Sequence, residues 1–561
     1  MNRANHTDKN GMLEEWNVGR MDEWNIGSLE YWIEGQKDWW DARCMSEIHP
    51  SNIPAFHASK LPSVHFIGIG GCGMNGVAQL AAHAGYAVFG SDRAADIIDP
   101  IVGQASLYSE SLCPSPDPDN TRSRIREARP TQPTGLEIFH CLEKQGIRIV
   151  PQDGSGITEA TDFVVYSTAI EDDNPDILKA KALNTPLLHR AEMLAKLCEG
   201  KQVIAIAGTA GKSTVTGLLG WIFQNLPALN DTNGGVERGM DPTVYCGAPV
   251  LNWIKRDEDV ASTLGNVRFG SGPWIIEADE SDKSFLHFHP DHAIITNIAE
   301  DHFELSELKK LFAQFESQVS GVVIKPAPPR RSGTPPRRGF VSGQDSPSSE
   351  GWPKAGVGSL LIGKHNTENI NNALKLCQAL GLDMGKCIEA VATFKGIERR
   401  LERIDDKVID DFAHSPIKIA AALEAVSGEF KTFNVVWRPH GFSPLFQGLE
   451  GFIDVFSNQW KKAEPSAFKF SNHWKQNGTR PLDAFGKLFI LPVYYAGGTV
   501  EKKITSEQFV ERLQAAGVPA EFVESFQTLQ TNLLADPLPV LIMGARDPEL
   551  PIFARRLADQ L

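Results

Sequence analysis

The sequence predicts an α/β chain of parallel sheets in three domains: a Rossmann-like domain first, a phosphate-loop ATPase-type domain in the centre, and a Rossmann-like domain last. Three observations predict it. Two apolar runs, Val64-His-Phe-Ile-Gly-Ile69 and Val203-Ile-Ala-Ile-Ala207, each lead through a glycine loop into a helix-periodic stretch. Beyond residue 399, strand-like and helix-like runs alternate, the order that parallel strands need because each requires a crossover. At 561 residues the chain is also too long for one core.

Residues 1–60 form a Trp-rich extension in which Trp16, Trp24, Trp32 and Trp40 recur every eight residues. On a helix that interval turns by about 80° per step, so the indoles make no stripe. The extension is read as poorly ordered, with a partner-binding module as the alternative. The first domain covers 61–198, with a Ser-, Pro- and Arg-rich insertion at about 104–134 and resumed alternation at Phe163-Val-Val-Tyr166. The central domain covers 199–398 and carries a basic, Pro-rich insertion at about 325–357. The third, 399–561, has strand runs at Val408, Asn434, Leu488 and Val540, and an insertion at about 457–485.

Charged residues make up 22% and hydrophobic ones 42%, as in ordinary globular proteins. The net charge of −15 argues against a nucleic-acid binder, which needs a basic footprint. No window approaches about 20 apolar residues, so no membrane span is expected, and the Glu-, Asp- and Trp-rich first fifty residues are not expected to act as a signal peptide. The eight cysteines form no CxxC pair, which fits reduced thiols in a cytoplasm.

Five segments carry chemistry. Gly68-Ile-Gly-Gly-Cys-Gly73 follows a strand, opens a helix, and precedes Asp92 by about twenty residues, a pattern that cradles a diphosphate. Read alone it suits a dinucleotide, although the glycines do not say which diphosphate. Ala207-Gly-Thr-Ala-Gly-Lys-Ser-Thr214 has the core of a phosphate loop: backbone N–H groups from Gly208 through Thr209, Ala210 and Gly211, Lys212 for the outer phosphates, and Ser213 for Mg²⁺. Trp274-Ile-Ile-Glu-Ala-Asp-Glu-Ser-Asp282 ends a strand in acids where a metal ligand belongs, and Thr296-Asn-Ile-Ala-Glu-Asp-His302 repeats the design. Asn366 and Asn369, three apart on a helix, share a face and suit an adenine edge or a helix cap.

In this order the segments, with Gly90-Ser-Asp92, Gly396 to Leu401 and Asp410-Asp-Phe-Ala-His414, resemble the Mur ligases of peptidoglycan synthesis. The resemblance is good over 61–450 and weaker beyond. It moves the first glycine loop from a dinucleotide to a UDP-sugar, held by Gly68, Gly70, Gly71, Gly73, Met74, Asp92, Ser167 and Thr168. It implies that Lys212, Glu277 and His302 are catalytic, that Ser213, Glu277 and His302 hold Mg²⁺, and that residues 208–214, Asn366, Asn369 and Asp411 bind ATP. Arg399, Arg400, His414, Arg438 and His440 become candidates for phosphate or substrate.

The implied reaction is ATP-dependent amide formation between UDP-N-acetylmuramate and an amino acid, of the alanine-adding type. A peptide-adding recycling ligase and a nucleotide-binding scaffold without turnover are the alternatives. A monomer or weak homo-oligomer is expected. The chain departs from the family pattern at Ala210 (usually His), Ser213 (Thr), Ser415 (His) and Gly441 (Arg), the last bearing on which amine is taken.

Overall fold

The computed structural model describes residues 61–96, 135–226, 240–257, 260–299, 304–325, 361–460, 486–495, 502–545 and 547–561. The Trp-rich extension, the 104–134 insertion, nearly all of the 325–357 insertion and His302 lie outside them.

Three sheets organise the described chain. The first is built from β1 (Ser63–Ile67), α1 (Cys72–His83), β2 (Ala87–Ser91), α2 (Gly135–Lys144), β3 (Arg148–Val150), β4 (Phe163–Tyr166), α3 (Pro175–Leu183), β5 (Leu187–His189) and α4 (Arg190–Cys198). Its order β3-β2-β1-β4-β5 is parallel throughout. The order reverses direction between β1 and β4, so a crevice opens beyond their carboxyl ends. Both strands are buried along their middles, which is why they read as near-continuous apolar runs.

The second sheet contains β6 (Val203–Ala207), α5 (Lys212–Asn225), β7 (Thr243–Tyr245), β8 (Val267–Arg268), β9 (Trp274–Glu277), β10 (His292–Ile295), α6 (Leu305–Ser317) and β11 (Val323–Ile324), flanked by α7 (Lys364–Ala379) and α8 (Met384–Thr393). Its order is β8-β7-β9-β6-β10-β11, with only β8 antiparallel. Because β9 and β10 flank β6, the register Glu277↔Ile206 and Ile295↔Ala207 brings the acids and Thr296 beside the phosphate loop. One apolar cluster runs from Val64 and Phe66 to Ile276 and Phe315, so the first two sheets share a core.

The third sheet comprises β12 (Glu402–Arg403), β13 (Val408–Asp411), α9 (Pro416–Ser427), β14 (Asn434–Arg438), α10 (Phe442–Gln447), α11 (Leu449–Trp460), β15 (Leu488–Ile490), α12 (Ser506–Ala515), β16 (Ala520–Phe522), α13 (Phe526–Ala535), β17 (Val540–Gly544) and α14 (Glu549–Ala558). Its order is β12-β13-β17-β14-β15-β16, with β12 antiparallel. Trp437 anchors one face against Phe452, Phe456 and Phe509.

Here the structure corrects one boundary. Residues 457–460, expected to begin an insertion, are the last turn of α11. Ser457 is buried, and the Trp460 indole N–H donates to the Gly486 carbonyl at 3.0 Å. The polar composition of the stretch hid an amphipathic helix end.

Candidate active site

The phosphate loop closes β6 with two backbone conformations that only glycine adopts cheaply. Gly208 has φ +130°, and a Cβ there would stand 2.1 Å from Thr296 Oγ1; Gly211, at φ +84°, would meet Asn369 Oδ1 at 2.5 Å. The loop is tied to the segment after β10. Asn297 Oδ1 accepts from the Ala210 N–H at 2.9 Å, and Thr296 Oγ1 donates to the Ala210 carbonyl at 2.6 Å. Helix α5 then starts at Lys212 with no side-chain cap, so its first turn presents N–H groups suited to an anion.

Lys212 and Ser213 turn in different directions from that turn. Lys212 Nζ donates to the Gly208 carbonyl at 2.9 Å and to Glu280 Oε2 at 2.6 Å, with Asp279 Oδ1 at 3.4 Å. Burial works against the ammonium, but Asp279, Glu280 and Glu277 outweigh it and raise its pKa. Ser213 Oγ donates to Glu277 Oε1 at 3.0 Å, while Glu277 Oε2 accepts from the Gly247 N–H at 2.7 Å. A hydroxyl and a carboxylate beside a glycine loop could contribute to a magnesium–nucleotide site, in which phosphates and water would supply the remaining ligands. Among the described residues no three His, Cys, Asp or Glu side chains converge without such help.

Across the same cavity, of about 920 Å³, stands the glycine loop of the first sheet. Gly68, Gly71, Gly73, Met74, Asp92 and Ser167 line it; Gly70 and Thr168 do not. Gly70 instead donates its N–H to Asp92 Oδ2 at 2.9 Å, and Asp92 Oδ1 accepts from the Ala94 N–H at 2.9 Å. The carboxylate therefore braces the loop and starts the next turn. Asn366 and Asn369 also face the cavity, joined by a 3.1 Å bond from Asn369 Nδ2 to Asn366 Oδ1. Asn369 thus buttresses Gly211 as well as facing the expected nucleotide.

Comparison with known proteins fits this geometry. Residues 63–99 and 133–202 match the Mur ligase family, catalytic domain. A UDP-N-acetylmuramate–L-alanine ligase of Burkholderia cenocepacia is 30% identical over 436 residues, covering 70% of this chain and 80% of that protein. The chain belongs to the Mur ligase family. A ligase of the same description from Burkholderia multivorans is 29% identical over 528 residues, 86% of this chain and 95% of that one. The fold is also that of the UDP-N-acetylmuramate–alanine ligase of Thermotoga maritima, with a TM-score of 0.58 at 22% identity, covering 89% of this chain and 98% of that chain.

The third wall is where this Mur ligase differs from the sequence expectation. Arg400, Asp411, His414, Ser415 and Lys418 line the cavity; Arg399, Arg438 and His440 do not. Arg399 is buried, donating from Nε to Asp410 Oδ2 at 3.1 Å and from Nη2 to the Gly544 carbonyl. Arg438 donates to Asp547 Oδ2 at 2.5 Å and to the Pro492 carbonyl at 3.2 Å. Both are committed to holding the third sheet together. His440 packs edge-on against His414 with centroids 4.9 Å apart. Gly441 brings no side chain and serves as N-cap of α10.

Asp411 accepts from the Leu401 N–H at 2.7 Å and the Ala413 N–H at 2.8 Å. Burial pushes its carboxyl up to about 6, against Arg400 and those two bonds. Burial likewise pushes His414 down to about 4, with Lys418, His440 and Arg400 acting in the same direction, so the imidazole is neutral at pH 7. Sequence reasoning missed Arg190, Tyr245, Gly247 and Lys418. Asn297 and the acids at 279 and 280 lay inside quoted motifs, but a three-residue strand such as β7 leaves no periodic signal.

Proposed function

We propose that this chain joins UDP-N-acetylmuramate to L-alanine, with ATP converted to ADP and phosphate. The observation that carries the reading is one cavity lined at once by the first glycine loop, by Lys212, Ser213 and Glu277, and by Asp411 of the third sheet. Residues 61–198 would then hold the UDP-sugar, 199–398 ATP, and 399–561 the amine. A carboxylate is a poor electrophile. One of its oxygens bonds to the γ-phosphorus as the bond to the β–γ bridging oxygen breaks, giving an acyl phosphate and ADP. The amine, after losing a proton, attacks the carbonyl carbon, and phosphate leaves.

Lys212 would offset charge on the moving phosphoryl group. A magnesium ion bound by Ser213 and Glu277 supplies further charge neutralisation. His302 belongs to the same proposal but lies outside the described residues. Much of the rate should come from holding three substrates in line.

The test is phosphate release with ATP, Mg²⁺ and UDP-N-acetylmuramate while the amine is varied. Release dependent on L-alanine supports the proposal. Release only with a peptide moves it to the recycling branch, a reading favoured by Gly441 and by the commitment of Arg438 to Asp547. No release with any amine sinks both.

If Asp411 grips the ribose of ATP, its carboxylate must be ionised. Since burial places the pKa at about 6, the KM for ATP should rise as pH falls through 6 and stay flat above 7. An Asp411→Asn variant should show a raised KM with that pH dependence gone; an unchanged acid limb in the variant would assign it to another group.

A further inference from the structure

Between the two glycine loops sits a cation that the reading above leaves without a task. Arg190 opens α4 and lines the shared cavity. Its Nη1 donates to the Tyr245 hydroxyl at 2.5 Å, and that hydroxyl donates to the Gly73 carbonyl at 3.0 Å. A Cβ on Gly73 would lie 3.1 Å from Arg190 Nη1, so the guanidinium rests directly against the start of α1. Tyr245 is buried at the end of β7, two residues before Gly247, whose N–H holds Glu277. Arg190 is thus fixed to both sheets.

Its donors are largely uncommitted: among the described residues, its hydrogen bonding is confined to Tyr245. Tyr245 raises its pKa, outweighing burial, and Asp279 and Asp282 add to the effect, so it is charged throughout the working pH range. Asp279 is the decisive neighbour, because Lys212 Nζ approaches the same carboxylate at 3.4 Å. The two cations therefore share the influence of one carboxylate and line one cavity. The N-terminus of α1 is the natural seat of a diphosphate, and Arg190 stands against it on the cavity that Lys212 also lines. A planar fork of N–H donors there matches two carboxylate oxygens.

We propose that Arg190 is a further catalytic residue, gripping the acceptor carboxylate and presenting it to the phosphoryl group held by Lys212. Tyr245 is the positioning residue that aims it. The inference rests on the ligase reading and deepens it. When the amine attacks the acyl phosphate, charge develops on the former carboxylate's remaining oxygen, and fixed donors toward such an oxygen contribute on the order of 10²-fold or more.

The experiment compares the full chain with Arg190→Met and Tyr245→Phe. Calorimetry measures affinity for UDP-N-acetylmuramate, for UDP-N-acetylglucosamine, which has the diphosphate but lacks the carboxylate, and for a non-hydrolysable ATP analogue. Phosphate release gives kcat. Arg190→Met should lower kcat on the order of 10²-fold and cut the preference for the carboxylated sugar about 10-fold or more, with ATP-analogue affinity kept. Tyr245→Phe should show the same pattern more weakly.

Equal weakening toward both UDP-sugars would assign Arg190 to the diphosphate or to the fold and overturn the inference. Loss of ATP-analogue binding, or an unchanged kcat, would overturn it too. Failure of the ligase reading is distinguishable, because the unaltered chain would then show no phosphate release and no preference for the carboxylated sugar.

Discussion

Replacing Lys212 with alanine should lower phosphate release on the order of 10³-fold, while the UDP-sugar still binds. Two effects combine. The ammonium that offsets phosphoryl charge is gone, and Glu280, almost fully buried and bonded to it at 2.6 Å, loses its cation. Even beside Lys212, burial raises the Glu280 pKa. Without Lys212 it should rise further, so the folded state favours the protonated acid more than the unfolded chain does. Stability should then fall as pH rises above the ordinary carboxylate range and recover on acidification. A Lys212→Ala, Glu280→Gln double variant separates the two effects. Urea denaturation at pH 7 should show restored stability, and the phosphate assay should show turnover still absent. Near-normal turnover in Lys212→Ala would remove the ATP site from the proposal.

The second large effect is expected at Gly208. An alanine Cβ would fall 2.1 Å from Thr296 Oγ1, 2.9 Å from Thr296 N and 3.0 Å from Asn297 N, so backbone must move as well as a side chain. The loop would pull away from the segment after β10 that fixes Ala210. A displacement near 1 Å in such a site costs on the order of 10²-fold in rate, and the strained backbone adds roughly 1–3 kcal/mol of destabilisation. Gly85→Ala is the control. Gly85 has φ +92° with nothing within 4 Å of an added Cβ, so it should lose about 1–2 kcal/mol and keep ATP-analogue binding. Equal losses of ATP-analogue affinity in the two variants would show that general destabilisation, not loop geometry, is being measured.

Much of the architecture was legible because its determinants are local. The runs at Phe163–Tyr166 and Val203–Ala207 appear as strands with the expected limits. The acids at 277–282 were placed correctly at a strand end, since an apolar run that stops in carboxylates must leave the sheet there. Ser213, standing where the family usually has Thr, still reaches Glu277, because either hydroxyl projects from the same helical turn. Less was legible in the third sheet. Arg399 and Arg400 are neighbours of one type, and the sequence offered no reason to prefer either. The left-handed turn at Arg399 (φ 54°) and Leu401 (φ 49°) sends the first toward Asp410 and leaves the second on the cavity. Arg438 looked available for substrate until Asp547, more than a hundred positions later, proved to be its partner.

By itself the sequence determined where the two glycine loops lie and which strands and helices carry them, since glycine conformations, strand patterning and helix starts are settled within a few residues of chain. Only the tertiary structure decided which charged groups meet across those loops. Arg190 and Lys212 come to line one cavity because the first two sheets share one core, and the meeting of side chains from distant segments is set by packing that no local pattern records.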